Sequence, residues 1–230
     1  MPLGHTGPLL VVCDVDSTFI RDEVIELFAR FAGVEPEVAA VTEAAMRGEL
    51  DFAESLRARV AALAGLSTET VEQVRAAVRL TPGAAQFAAA LAGHGHTLAL
   101  VSGGFEEVAR PLADELSITH VTANRFEVAS GRLTGRVEGR IVDRGVKAAR
   151  LRELARELGI PRERTVAVGD GANDLDMLAA AGLGVAFCAK PVVREEADVV
   201  VDEPDLRLVL DVLGVPRPLE PATAGAPDGC

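Results

Sequence analysis

Leu9-Leu10-Val11-Val12-Cys13-Asp14-Val15-Asp16-Ser17-Thr18 sets five apolar residues directly against a carboxylate, with a second carboxylate and two hydroxyls close behind. An apolar run this short and unbroken reads as a strand buried on both faces, as in a parallel sheet covered by helices. That first strand covers residues 9–14, and similar runs recur at 97–101, 119–122, 165–169, 183–187 and 198–201. Between them, residues 82–92, 105–115, 146–158 and 175–181 carry apolar side chains at helical spacing. This alternation predicts an α/β fold built on a doubly wound parallel sheet, Rossmann-like in its winding. Residues 125–137 alternate polar and apolar around Ser130-Gly131 and read as a β-hairpin.

One stretch breaks the rhythm. Between Asp22 and Arg79 no strand-like run occurs, only helix-period segments broken by Gly33, Pro36, Gly48 and Gly65. They predict a helical-bundle insertion of about four helices after the first strand, placed to close over the strand ends. The expected organisation is a catalytic core of residues 1–17 and 80–215, a cap of residues 18–79, and a loose tail rich in Pro, Ala and Gly over 216–230.

Composition limits what such a chain can do. Its 230 residues, 49% hydrophobic and 25% charged, are enough for a sizeable core. With no Trp, no Tyr and 8 Phe, aromatic platforms for single-stranded nucleic acid are not expected. A formal charge of −12 repels polyanions, so neither nucleic acid nor an anionic membrane is an expected partner. A small anionic substrate would need a local cationic pocket. The three cysteines lack metal-ligand spacing, and Cys13 and Cys188, in apolar runs, read as small buried hydrophobes. No apolar run reaches membrane-spanning length and no basic region precedes an apolar leader, so the expected location is a reducing cytoplasm.

In open α/β sheets ligands gather at the carboxyl ends of the strands. Those ends carry Asp14-Val15-Asp16-Ser17-Thr18, then Ser102-Gly103-Gly104, then Gly169-Asp170-Gly171-Ala172-Asn173-Asp174, with Lys147 opening a helix just before the last. An Asp or Asn after a strand is often only a helix cap, and each fragment alone has that reading. Taken together, carboxylates converging on one rim repel one another unless a cation sits among them. Oxygen ligands without His or Cys suit a hard divalent ion, Mg²⁺ above all, and Mg²⁺ commonly works with phosphate. Ser102 and the amides of Gly103 and Gly104 form a phosphate cradle, and Lys147 adds a point charge. The G-x-G-x-x-G spacing of a dinucleotide site is missing.

The Asp-x-Asp-x-Thr motif at Asp14 to Thr18, with Ser102, Lys147 and the Gly-Asp-x-x-x-Asp element at Gly169 to Asp174, resembles the haloacid dehalogenase superfamily of aspartate-nucleophile phosphatases. The resemblance implies that Asp14 is the nucleophile and Asp16 the general acid and then base. It implies phosphate contacts from Ser102, Lys147 and Asn173. The implied Mg²⁺ ligands are Asp14, Asp170 and the backbone carbonyl of Asp16, with Asp174 in support.

Specificity is expected from the helical insertion. Helical spacing puts Phe52, Leu56, Arg59 and Leu63 on one stripe, while Arg57 faces the polar side. A cation projecting with apolar side chains needs an anionic partner, either a carboxylate of another helix or that of a substrate. Glu23 is either a favourable charge in a helix's first turn or a partner for an ammonium group. Read together as substrate contacts, Glu23 and Arg59 select an amino acid carrying a phosphate ester.

Five further stretches tighten the resemblance to the phosphoserine phosphatases: residues 14–23, 45–52, 55–60, 101–105 and 169–175, together with Ala189-Lys190-Pro191. The resemblance implies that Glu23, Met46, Phe52, Arg59 and the backbone of Gly103 line the pocket for O-phospho-L-serine. It also implies the last step of serine biosynthesis. Relatives acting on phosphothreonine or transferring phosphate to homoserine stay open, as does a phosphate-binding protein without catalysis. Asp176 stands where that family often has Pro, and Cys188 where His or Asn is common.

Overall fold

Burial explains why the strand runs are apolar without alternating. In the computed structural model, which describes residues 7–46 and 50–218, β1 (Leu10–Cys13) has no exposed residue. Leu10 and Val12 share a core with Leu151 and Leu154 of α7 (Arg144–Glu157) and Met177 of α8 (Leu175–Ala180). Val11 and Cys13 face the other way, into a core with Phe87 and Leu91 of α5 (Ala84–Gly93), Val108 of α6 (Glu106–Glu115) and Leu210 of the C-terminal helix Arg207–Leu213. A strand covered by helices on both faces has no polar positions to show.

The other described strands are β2 (Thr97–Phe105), β3 (His120–Ala129), β4 (Arg132–Glu138), β5 (Thr165–Gly169), β6 (Leu183–Phe187) and β7 (Val199–Val201). They form one sheet in the order β4-β3-β2-β1-β5-β6-β7, parallel except between β3 and β4. The chain winds from β1 through β2 to β3 and then returns to β1's other flank at β5. That reversal makes the carboxyl end of β1 the topological switch point. Cys13 pairs with both Leu100 and Val168, so Asp14, Ser102 and Asp170 follow within two residues of a common row.

β5 and β6 coincide with the expected runs. β2 is longer than expected, because Ser102, Gly103 and Gly104 continue the strand as its tip instead of leaving it as a loop. The run at 119–122 and the first arm of the hairpin belong to one strand, β3, which pairs with β2 at one end and β4 at the other. Cys188 corrects the sequence reading: it is exposed, in a left-handed turn (φ 45°) just after β6, whereas Cys13 is buried.

The insertion comprises α1 (Val24–Ala32), α2 (Glu35–Met46), α3 (Phe52–Ala61) and α4 (Thr68–Ala77). Phe28 of α1 packs edge-on against Phe126, with centroids 5.0 Å apart, while Phe105 and Phe126 stack at 3.7 Å. The β3–β4 hairpin also reaches the turn between α3 and α4, where Gly65 N–H donates to the Leu133 carbonyl and Leu133 N–H to that of Leu66. Among the described residues no helix is long and apolar enough to cross a membrane.

Two chain segments join the insertion to the sheet, and they are tied to each other. Ile20 and Leu80 form an antiparallel bridge. The Asp22 carboxylate accepts from the Arg79 backbone N–H at 2.8 Å and from its Nη2 at 2.6 Å. Burial pushes the Asp22 carboxyl up, but the Arg79 hydrogen bonds and charge outweigh it and hold it below the ordinary carboxylate value. A depressed carboxyl adds stability above its unfolded pKa and loses it as pH falls through the folded value. Asp22→Asn is therefore expected to lower Tm at pH 7, with the deficit closing below about pH 4. Thermal melts of both proteins across pH 3–7 check this.

Candidate active site

The site is built from the tip of β1 outward. Asp14 N–H donates to the Val168 carbonyl at 2.9 Å, which holds the residue against β5 as it leaves the sheet. A wide turn follows, closed by Ile20 N–H to the Val15 carbonyl at 2.9 Å. Across from it, Asp143 caps α7 by accepting from Val146 N–H at 2.8 Å. That cap puts Lys147 in the first turn of α7, and its side chain runs back under the strand tips.

Lys147 Nζ donates to Asp14 Oδ1 at 2.6 Å and Asp174 Oδ1 at 2.7 Å, and the side chain has no exposed surface. Burial alone would lower this ammonium, yet the Asp14 and Asp174 carboxylates hold it well above its ordinary value. Asp14, Asp170 and Asp174 offer oxygen atoms that all lie within 4.8 Å of one another, every one buried. Burial and the Asp174 carboxylate push Asp14 up against the pull of Lys147. Burial, then Asp174 and Glu23, push Asp170 to about 6. Lys147 bonds only Asp14 and Asp174, while Asp170 accepts from the Thr18 hydroxyl at 3.2 Å and makes no ion pair among the described residues, so the floor keeps unneutralised negative charge. Convergent oxygen donors with an unmet charge fit a hard divalent cation.

Asp16 turns away from that cluster. Its Oδ1 accepts from Val24 N–H at 2.9 Å and its Oδ2 from the Ser102 hydroxyl at 2.9 Å. Burial and the nearby Glu23 carboxylate raise it to about 6 despite these bonds. Near that value the group can hold or release a proton around neutrality. A Cβ on Gly104 would come within 2.3 Å of Asp16 Oδ2, so only glycine lets the carboxylate rest there. Ser102 Oγ also accepts from Gly104 N–H at 2.7 Å, curling the strand tip around the hydroxyl.

Above the floor lies a cavity of about 290 Å³. Its polar lining includes Asp14, Asp16, Glu23, Arg59, Asp170, Asn173 and Lys190, and its apolar wall includes Ile25, Phe52, Leu56 and Phe105. Asp51 starts α3 with a reciprocal capping box to Glu54, and the helix then turns Phe52, Leu56 and Arg59 inward as the stripe predicts. Arg57 is exposed. The Phe52 ring closes over Gly103, where a Cβ would meet it at 2.9 Å.

Arg59 donates from Nε to the Ser55 carbonyl at 3.3 Å, and among the described residues no carboxylate lies within ion-pair distance of it. Burial lowers its pKa, opposed by the charges of Glu23, Asp16 and Glu26. Glu23 precedes α1 without capping it. Its Oε1 accepts from the Ser17 hydroxyl at 2.6 Å.

The fold thus brings Asp14, Asp16, Glu23, Phe52, Arg59, Gly103, Asp170 and Asn173 to one cavity. Ser102, Lys147 and Asp174 lie behind that surface and bond to residues that line it. Met46 is the last residue of α2, and the expectation for its side chain lies outside the described residues.

Sequence reasoning missed Asn124, and it quoted Lys190 within Ala189-Lys190-Pro191 without giving it a place in the cavity, which it lines. Asn124, almost wholly buried, donates from Nδ2 to the Gly103 carbonyl at 2.8 Å and accepts from Val142 N–H at 2.8 Å. It pins the strand tip that forms the cavity wall, and its one sequence signal is an amide inside an otherwise strand-like run. Asp176 pairs with Arg144 and so joins the starts of α7 and α8.

A family model for haloacid dehalogenase-like hydrolase matches residues 11–179. A phosphoserine phosphatase of Streptomyces coelicolor is 60% identical over 215 residues, which are 94% of this chain and 52% of that protein. One of Streptococcus thermophilus is 49% identical over 204 residues, 89% of this chain and 95% of that protein. The chain therefore spans about half the length of the first relative and nearly all of the second. A substrate-bound phosphoserine phosphatase complex superposes with a TM-score of 0.85 at 42% identity, covering 90% of this chain and 99% of that one.

Proposed function

The chain belongs to the haloacid dehalogenase-like hydrolases, and from that premise we propose that it is a phosphoserine phosphatase, hydrolysing O-phospho-L-serine to L-serine and inorganic phosphate. One juxtaposition carries the reading. The buried Asp14, Lys147, Asp170 and Asp174 cluster floors the same cavity that Glu23 and Arg59 line from the helical side. Phosphate chemistry at one end and a pair of opposite charges at the other suit a phosphorylated amino acid. The local cations also admit an anion into a protein of formal charge −12.

An Asp14 carboxylate oxygen attacks phosphorus, and the bond from phosphorus to the serine oxygen breaks. Asp16 gives its proton to that oxygen, so serine leaves as a neutral alcohol. Water then attacks phosphorus of the aspartyl phosphate, Asp16 takes its proton, and the bond to Asp14 breaks to release phosphate. Asn173 and the Gly103 amide hold the phosphoryl oxygens, joined by the Ser102 hydroxyl and the Gly104 amide once they leave their present partners Asp16 and Ser102, and Lys147 fixes the Asp14 carboxylate and offsets their charge. Asp14, Asp170 and the Asp16 carbonyl, with Asp174 in support, would hold a Mg²⁺ ion, which would draw further negative charge off those oxygens. Glu23 takes the substrate ammonium, Arg59 its carboxylate, and Phe52 its carbon chain.

Residues 18–79 act as the specificity cap on a core of residues 1–17 and 80–215. The free thiols of Cys13 and Cys188 suit a cytoplasmic enzyme of serine biosynthesis.

A screen of phosphomonoesters with Mg²⁺ tests the reading. Phosphoserine is expected to exceed small sugar phosphates in kcat/KM by at least about 100-fold, because charged partners left unmet penalise the wrong substrate. Comparable turnover of sugar phosphates would remove the roles of Glu23 and Arg59. Preference for phosphothreonine, or phosphate transfer to added homoserine, would move the enzyme to a sister activity. Binding without phosphate release would make it a phosphate-binding protein.

A further inference from the structure

Ser17 sits at φ 56° and ψ 5°, in the left-handed region where a side chain carries a conformational cost that glycine does not. Closure of the turn does not need that side chain, since the bond from Ile20 N–H to the Val15 carbonyl is made by neighbours. The hydroxyl has one evident task. It donates to Glu23 Oε1 at 2.6 Å, and among the described residues this is the hydrogen bond that holds the Glu23 carboxylate. Glu23 faces Asp16 and Asp170, which repel it, and Arg59, which attracts it. Left untethered, it would move towards Arg59. The two charges would then neutralise each other, and neither would be presented to a ligand.

We infer that Ser17 is a positioning residue for substrate selection: its hydroxyl keeps Glu23 and Arg59 apart, so that one reads an ammonium and the other a carboxylate. The inference rests on the phosphoserine reading above and adds to it the tether that sets its selectivity. It also explains why a strained serine stands where glycine would fit the backbone better.

Ser17→Gly and Ser17→Ala both remove the hydroxyl, but only glycine relieves the strain, so an effect common to both variants belongs to the hydroxyl. The substrates are O-phospho-L-serine and 3-phosphooxypropanoate, the same ester without its ammonium group. In both variants the wild-type preference for phosphoserine, as a ratio of kcat/KM values, is expected to shrink by about three- to tenfold, the worth of one hydrogen bond. In a Glu23→Ala background the Ser17 changes should add nothing to that loss of preference. If the variants lose activity equally on both esters, or keep the wild-type ratio, Ser17 positions nothing and the inference fails while the substrate reading stands. If the wild-type enzyme does not distinguish the two esters, the ammonium role of Glu23 falls and takes the inference with it. Tm of Ser17→Gly at or above wild type would show that the changed preference is not a consequence of misfolding.

Discussion

Asp14→Asn is expected to lower kcat by at least about 10⁴-fold, the scale on which removal of a covalent nucleophile is felt. An amide oxygen is a poor nucleophile and cannot carry the phosphoryl group as a carboxylate does. The shape of the site should survive, because the asparagine oxygen can still accept from Lys147 Nζ, now 2.6 Å from Asp14 Oδ1. Folding should not suffer either. Asp14 is one of three buried carboxylates whose oxygens converge, only two of them bonded to Lys147, and removing one charge eases their repulsion. In protein treated with chelator, Tm of Asp14→Asn is therefore expected to equal or exceed wild type. Acid-quenched reactions with radiolabelled phosphoserine should label the wild-type polypeptide and leave the variant unlabelled. Turnover within tenfold of wild type would mean that another group attacks phosphorus.

Lys147→Met is expected to have the opposite balance, with a large loss of stability beside the loss of activity. Methionine approximates the length of lysine but brings no charge to a position with no exposed surface. Asp14 and Asp174 would then face each other and Asp170 as buried carboxylates without an ammonium. Leaving buried charge uncompensated costs about 3–5 kcal/mol. Lys147 is held above its ordinary pKa, so its contribution is present at neutral pH and is lost only above the lysine range. The variant's deficit should shrink in acid, where the carboxylates take up protons and no longer need the ammonium. Added Mg²⁺ should restore part of the stability, since a cation can substitute for the missing charge. Urea unfolding at pH 7 and pH 5, with and without Mg²⁺, checks this, and a loss under about 1 kcal/mol at pH 7 would contradict it.

Much of the sheet was legible because burial leaves a local trace. β1 is apolar throughout, and β5 is apolar but for Thr165 at its start, since both their faces are covered, and an aspartate follows each run. The same abruptness marked Asp14, Ser102 and Asp170 as strand-end residues. The stripe in α3 marked Arg59 because a helix repeats on a short period, and the structure turns that stripe towards the cavity.

Other features had no such trace. Cys188 follows an apolar strand and looked buried, yet a left-handed turn swings it out to solvent. The run at 119–122 and the hairpin arm after it looked like separate elements, because nothing local says that a strand changes partners midway. Asn124 gave little notice of its two bonds, to Gly103 and Val142, which lie 21 and 18 residues away.

The sequence by itself determined where the buried strands run and which charged groups stand near their carboxyl ends, since each of these follows from neighbours within a few positions, though not how far β2 and β3 extend. Only the tertiary structure decided that Lys147 lies 133 residues along the chain yet 2.6 Å from Asp14, that Arg59 has no carboxylate in ion-pair range among the described residues, and that Ser17 holds Glu23. Those outcomes depend on how helices seat on the sheet and which charges that seating leaves unmatched, and packing of that kind is a property of the whole chain.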